Sequence, residues 1–267
     1  MRIRRIGISV ISLAAVAAMT APLASATVTK KKTAPLSVLV TNDDGVGAPG
    51  IDQLVEALRK DKTLKVTVIA PATNQSGTGR KVTGGTLVSA PATTASGYKA
   101  TAVTGYPADS IIFALDQGGM PTKPNLVISG INTGQNLGGI TPLSGTVGAA
   151  TEAAAHGIPA LATSQGLGTT VDYPASVKQV TAWIKAHRKK ITPVKGKKVK
   201  VTLDNLNTPT CKPGTAVRGL QVVAVATTFD GALSATEVDC ASTLTNPKTD
   251  IEAFNEGYAA LSNLPVP

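Results

Sequence analysis

Leu36-Ser37-Val38-Leu39-Val40-Thr41-Asn42-Asp43-Asp44-Gly45 decides the fold. Residues 36–40 are rich in Leu and Val and read as a short buried strand, which ends abruptly in Asn-Asp-Asp-Gly. Pro49 and Gly50 then open a stretch through Leu58. In it Ile51, Leu54, Val55 and Leu58 recur at the i, i+3, i+4, i+7 spacing of one helical face. Residues 65–70 form a second strand, stopped by Pro71. Strand, helix and strand in about 35 residues predict a right-handed βαβ unit in a parallel sheet.

The rhythm continues outward. Residues 107–115 read as a helix with Pro107 at its start and Gly118-Gly119 beyond its end. A strand over 126–129, an Ala-rich helix over 145–156 stopped by Gly157, a strand over 158–163, a helix over 176–189 and a strand over 199–203 follow. Past Pro209 the pattern changes: 221–227 and 233–238 read as strands with no helix between them. They predict an antiparallel hairpin excursion that carries both cysteines and serves as a dimer arm. The fold class is α/β.

The N-terminus has its own logic. Arg2, Arg4 and Arg5 precede an apolar run from Ile6 to Met19, and Ala24-Ser25-Ala26 supplies a small-x-small cleavage pattern. Residues 1–26 therefore read as a secretory signal peptide, too short in its apolar part to span a bilayer, which needs about 20 residues. The Arg4-Arg5 pair leaves the general and twin-arginine export routes both open. Cleavage near Thr27 leaves about 240 residues, of which 27–34 read as a flexible lead-in and 35–267 as one domain. The expected location is secreted or periplasmic, with no membrane anchor. In an exported chain the only two cysteines, Cys211 and Cys240, are a candidate disulfide; two unrelated thiols are the alternative.

The formal charge is +10, with basic residues concentrated in Lys30-Lys31-Lys32 and over 185–200. No aromatic residues interleave these runs, so bases would have no stacking platform, and a solvated basic face is a better reading than nucleic-acid binding. Such a face could still draw anions toward the protein.

Ligands of an open parallel sheet bind beyond the carboxyl ends of its strands. Three polar clusters fall there: Asn42-Asp43-Asp44-Gly45, Asn74-Gln75-Ser76-Gly77, and Gly130-Ile131-Asn132-Thr133-Gly134-Gln135-Asn136. Two unit charges about 4 Å apart near a protein surface repel by roughly 4 kcal/mol. A divalent cation removes that cost for Asp43 and Asp44, and oxygen donors suit Mg²⁺, Mn²⁺ or Ca²⁺. Asn-Asp-Asp-Gly is equally good turn chemistry, so the pair alone leaves both readings open. Ser144-Gly145-Thr146 opens the Ala-rich helix, where free N–H groups favour phosphate; Ser144 is an equally good helix cap, and both readings can hold together. His156 and His187 are poorly placed for catalysis, which leaves a metal-held water attacking phosphorus as the mechanism the residues favour.

These clusters resemble the SurE family of survival proteins. The resemblance runs through 38–45 and Ala48-Pro49-Gly50-Ile51, then Asn74-Gln75-Ser76-Gly77 and Gly105-Tyr106-Pro107-Ala108-Asp109. It is densest over 125–150, with weaker echoes at Leu203-Asp204-Asn205-Leu206-Asn207 and from Thr249-Asp250 to Gly257-Tyr258. It implies a Rossmann-like, three-layer core and a phosphomonoesterase acting on nucleoside 5′- and 3′-monophosphates. One Mg²⁺ or Mn²⁺ would be held by Asp43, Asp44, Ser76 and Asn132. The phosphate would be held by Asn42, Asn136, Ser144, Gly145 and Thr146, with Asn42, Asp43 and Asn136 in catalysis, in a homodimer or homotetramer. A broad acid phosphatase or exopolyphosphatase, or an exported binding protein on the same fold, are the alternatives. The chain departs from the family pattern at Thr78-Gly79-Arg80-Lys81, where Arg80 and Lys81 are candidates for a second phosphate, and at Ile140-Thr141-Pro142-Leu143.

Overall fold

β1 (Leu36–Thr41) is buried on both faces, because Val38 and Val40 point to one side and Leu39 and Thr41 to the other. It lies between β2 (Leu64–Pro71) and β5 (Leu126–Thr133), parallel to both. The computed structural model describes residues 34–232 and 236–267. The expected signal peptide and almost all of the lead-in lie outside the described residues.

Among these residues the sheet has nine strands in the order β3-β4-β2-β1-β5-β6-β7-β9-β8. β6 (Ala160–Gln165) and β7 (Leu203–Thr208) continue the parallel run, and β9 (Ala259–Leu264) pairs antiparallel with β7. Helices cover both faces. α1 (Pro49–Leu58) and α4 (Tyr173–Ile191) pack Ile51, Leu54, Val55, Val180 and Trp183 on Val38, Val40 and Ile128. α2 (Pro107–Asp116) and α3 (Gly145–Ala155) pack Ile111, Ala114, Ala149 and Ala153 on Leu39, Val127 and Ala162. This is the expected three-layer, Rossmann-like α/β core.

The differences are instructive. An antiparallel pair, β3 (Val88–Thr93) and β4 (Lys99–Thr104), extends the sheet beyond β2 although its residues are small, polar and largely exposed. The strand expected over 199–203 instead begins at Leu203. Of the expected hairpin, β8 (Leu220–Val222) is shorter than 221–227 and pairs in parallel with β9. Val238 makes a single bridge to Cys211, and residues 233–235 lie outside the described set. A short helix, α5 (Asp250–Asn255), packs Ile251 and Phe254 with Leu137, Val238 and Tyr258 in a third apolar cluster. Cys211 and Cys240 are joined as a disulfide beside it, with Cα atoms 5.5 Å apart.

Candidate active site

The order of strands reverses at β1, whose neighbours are β2 and β5, so the loops after β1 and β5 diverge to opposite sides and open a crevice between them. A cavity of about 410 Å³ lies there. Asp43, Ser76, Asn132, Asn136 and Ser144 line it, together with the aliphatic side chains of Ile140, Leu143 and Leu167. Five of the residues singled out from sequence thus meet in one space, contributed by four separate segments.

Asp43 is 2% exposed and is the only ionisable side chain among the described residues lining the cavity. Thr146 Oγ1 donates to its Oδ1 at 2.5 Å. Burial pushes its carboxyl up to about 6, with the neighbouring Asp44 charge adding to the rise and the Thr146 hydrogen bonds opposing it. Its backbone carbonyl accepts from Gln75 N at 2.7 Å, which ties the β1 loop to the loop carrying Ser76.

Asp44 lines an adjoining cavity with Asn74 and Thr133. Its Oδ2 accepts from Thr133 N at 2.9 Å and Thr133 Oγ1 at 3.1 Å, and Asn74 Nδ2 approaches Oδ1 at 3.3 Å. Burial raises this carboxyl as well, against the Thr133 hydrogen bonds. Asn42 is wholly buried and outside the cavity lining. Its Nδ2 donates to Gly45 O at 2.8 Å and shapes the turn, while its Oδ1 has no protein partner.

The start of α3 combines several roles. Ser144 is its cap, accepting from Val147 N at 3.2 Å, and also lines the cavity. Gly145 is required by close approach: a Cβ there would lie 2.8 Å from Asp43 Cβ. Thr146 is fully buried and serves Asp43 rather than facing the open cavity. Asn136 is fixed from below by β6 and β7: its Nδ2 donates to Ser164 Oγ at 2.8 Å, its N–H to Asn207 Oδ1 at 2.7 Å, and its carbonyl accepts from Asn205 Nδ2 at 2.8 Å.

Sequence reasoning missed Thr133, Tyr173, Ser164 and the Asn205–Asn207 pair as supports; Thr133 stands in the third polar cluster and the two asparagines in a motif of the family resemblance, while Tyr173 and Ser164 carried no signal. Arg80 does not reach the cavity. It forms an ion pair with Glu152 at 2.7 Å and lines a different, apolar hollow. The basic residues over 185–200 occupy the carboxyl-terminal turns of α4 and the segment between it and β7, so they sit at the amino edge of the sheet, opposite the cavity. His156 contacts Asp116 and Glu152, and His187 stacks on Trp183, so neither enters the cavity.

The family model for survival protein SurE matches residues 38–230. A protein of Methanopyrus kandleri, 5′-nucleotidase SurE, is 38% identical over 166 residues, covering 57% of this chain and 61% of that protein. One of the same name from Hyphomonas neptunium is 33% identical over 246 residues, covering 86% of this chain and 93% of its own. The crystal structure of the SurE protein from Aquifex aeolicus superimposes with a TM-score of 0.66 at 27% identity, over 86% of this chain and 94% of that one. With a family model matching 38–230, which holds the crevice and most of the sheet, and a relative matched along nearly its whole length, the chain belongs to the SurE family.

Proposed function

We propose that this chain is a 5′-nucleotidase: a phosphoric monoester hydrolase that splits nucleoside monophosphates into nucleoside and phosphate, uses one divalent cation, and acts outside the cytoplasm. The names of its relatives support the reaction. One observation carries the need for a cation. The described lining of the cavity holds no Lys, Arg or His, and its single ionisable group is a carboxylate. A carboxylate in that space repels a phosphate dianion, and a bound cation would offset the repulsion.

The residues fit that charge. Asp43, Asp44, Ser76 and Asn132 offer hard oxygen donors suited to Mg²⁺ or Mn²⁺. Both carboxyls are held up by burial, and the buried Asn42 Oδ1 in the same turn lacks a protein partner, so the site has unmet demand for positive charge. When bound, the cation supplies Lewis-acid polarisation of a phosphoryl oxygen and a more acidic water. The chain does the rest. Asn136 and Ser144 meet the phosphate oxygens. The oxygen of the attacking water bonds to phosphorus as the bond from phosphorus to the nucleoside oxygen breaks; Asp43, oriented by Thr146, takes a proton of that water, and the nucleoside oxygen leaves with a proton from solvent. Ile140, Leu143 and Leu167 keep the nucleoside side of the cavity apolar.

The test is phosphate release from AMP, GMP, CMP and UMP by the purified protein with Mg²⁺ or Mn²⁺. Turnover abolished by EDTA and restored by the metal supports the reading. No release from any mononucleotide, or release indifferent to chelation, refutes it. Export is checked by recovering the protein outside the cytoplasm with an N-terminus near Thr27, and the proposed homodimer or homotetramer by light scattering.

A further inference from the structure

We propose that Tyr173 is a positioning residue for the cation: through Thr133, its hydroxyl sets the orientation of the Asp44 carboxylate. This rests on the metal-dependent reading above. Tyr173 is the first residue of α4, and it is buried. Its OH lies 2.7 Å from Thr133 Oγ1, which lies 3.1 Å from Asp44 Oδ2.

The proton count fixes the direction of this chain. A carboxylate has no proton to give, so Thr133 Oγ1 must donate to Asp44. A hydroxyl carries one proton, so Tyr173 OH must donate to Thr133. The relay runs from Tyr173 to Thr133 to Asp44, and each bond polarises the next. Thr133 N–H adds a second bond to the same Oδ2. Oδ2 is therefore committed to Thr133, and Oδ1, with one 3.3 Å approach from Asn74, is the freer oxygen.

The geometry is held from behind. Gly50 lets α1 approach so closely that a Cβ there would stand 1.9 Å from Ile131 O and 3.0 Å from Tyr173 Cε1. The backbone of α1 at Gly50 thus lies against the edge of the Tyr173 ring whose hydroxyl meets Thr133. Thr133 also directly follows Asn132, so the relay couples two of the proposed ligands, one on each side of the crevice.

Tyr173→Phe removes only the hydroxyl. Mn²⁺ is titrated calorimetrically into metal-free wild type, Tyr173→Phe, Thr133→Val, the double variant, Thr133→Ser and Asp44→Asn. The expectation is a Kd about 5-fold weaker in Tyr173→Phe, the equivalent of one hydrogen bond. The double variant should be no weaker than Thr133→Val, and Thr133→Ser should restore binding. At saturating Mn²⁺ the KM for AMP should stay unchanged. An unaltered Kd in Tyr173→Phe, or effects of Tyr173→Phe and Thr133→Val that simply add, overturns the relay. Were Asp44→Asn itself to leave Mn²⁺ binding intact, the ligand assignment beneath it would fail instead.

Discussion

Thr146 Oγ1 stands 2.5 Å from Asp43 Oδ1, joining residues 103 apart in sequence at the point where α3 meets the loop after β1. The carboxylate is almost fully buried, so this bond and the helix end that provides it keep the charge tolerable.

Thr146→Val preserves shape and removes the donor. A buried carboxylate left short of one hydrogen bond should cost about 1–3 kcal/mol. Denaturant unfolding at pH 7 should show that loss, with phosphate release from AMP falling in parallel.

Asp43 should also give the metal-free protein a distinctive response to pH. Its folded pKa of about 6 exceeds the ordinary 3.8, so the folded state holds the proton more tightly than the unfolded chain. Stability should therefore fall as pH rises from about 4 to 6, by about 3 kcal/mol in all, and stay low above that. Melting curves of wild type and Asp43→Asn compared across this range isolate the effect. The variant should lack the decline, and near pH 7 it should be the more stable protein without metal. Its nucleotidase activity should be at least about 100-fold lower.

Gly148 faces the loop that carries Ser76. A Cβ at Gly148 would lie 2.1 Å from Gly79 O and 2.8 Å from Arg80 N. Gly148→Ala should push that loop off α3 at an overpacking cost of about 1–3 kcal/mol. Weakened Mn²⁺ binding, read by calorimetry, should accompany the lower unfolding midpoint.

The disulfide joins two cysteines 29 apart in sequence, neither of which lines the cavity. Cys211→Ser with Cys240→Ser should lower unfolding free energy by about 3–4 kcal/mol in the chain-entropy account. Rates on AMP well below the melting temperature should change little, since neither cysteine lines the cavity.

Legibility in the sequence followed local physics. The βαβ unit from Leu36 to Pro71 was readable because two apolar strands and one helical face each carry their own period. β7 was misplaced because Leu-Asp-Asn-Leu-Asn-Thr looks like a loop. All six residues are buried, and their polar groups find distant partners, such as Trp183 Nε1 for Asp204 at 3.1 Å and Asn136 for Asn205. The β3–β4 pair escaped notice for the opposite reason. Its exposed residues show no apolar alternation, and Pro91 is tolerated because β3 is an edge strand.

For the site, local sequence is enough to show which oxygen-bearing residues stand at strand ends and which serine opens a helix, since both depend on neighbours a few positions away. Their division of labour comes from the packed fold. It buried Asn42 inside its turn, turned Thr146 onto Asp43, drew Arg80 away to Glu152, and set Thr133 and Tyr173 behind Asp44. Those outcomes depend on how closely α3, α1 and α4 approach the sheet, a distance set by glycines and packing across the whole chain, which no local stretch of residues encodes.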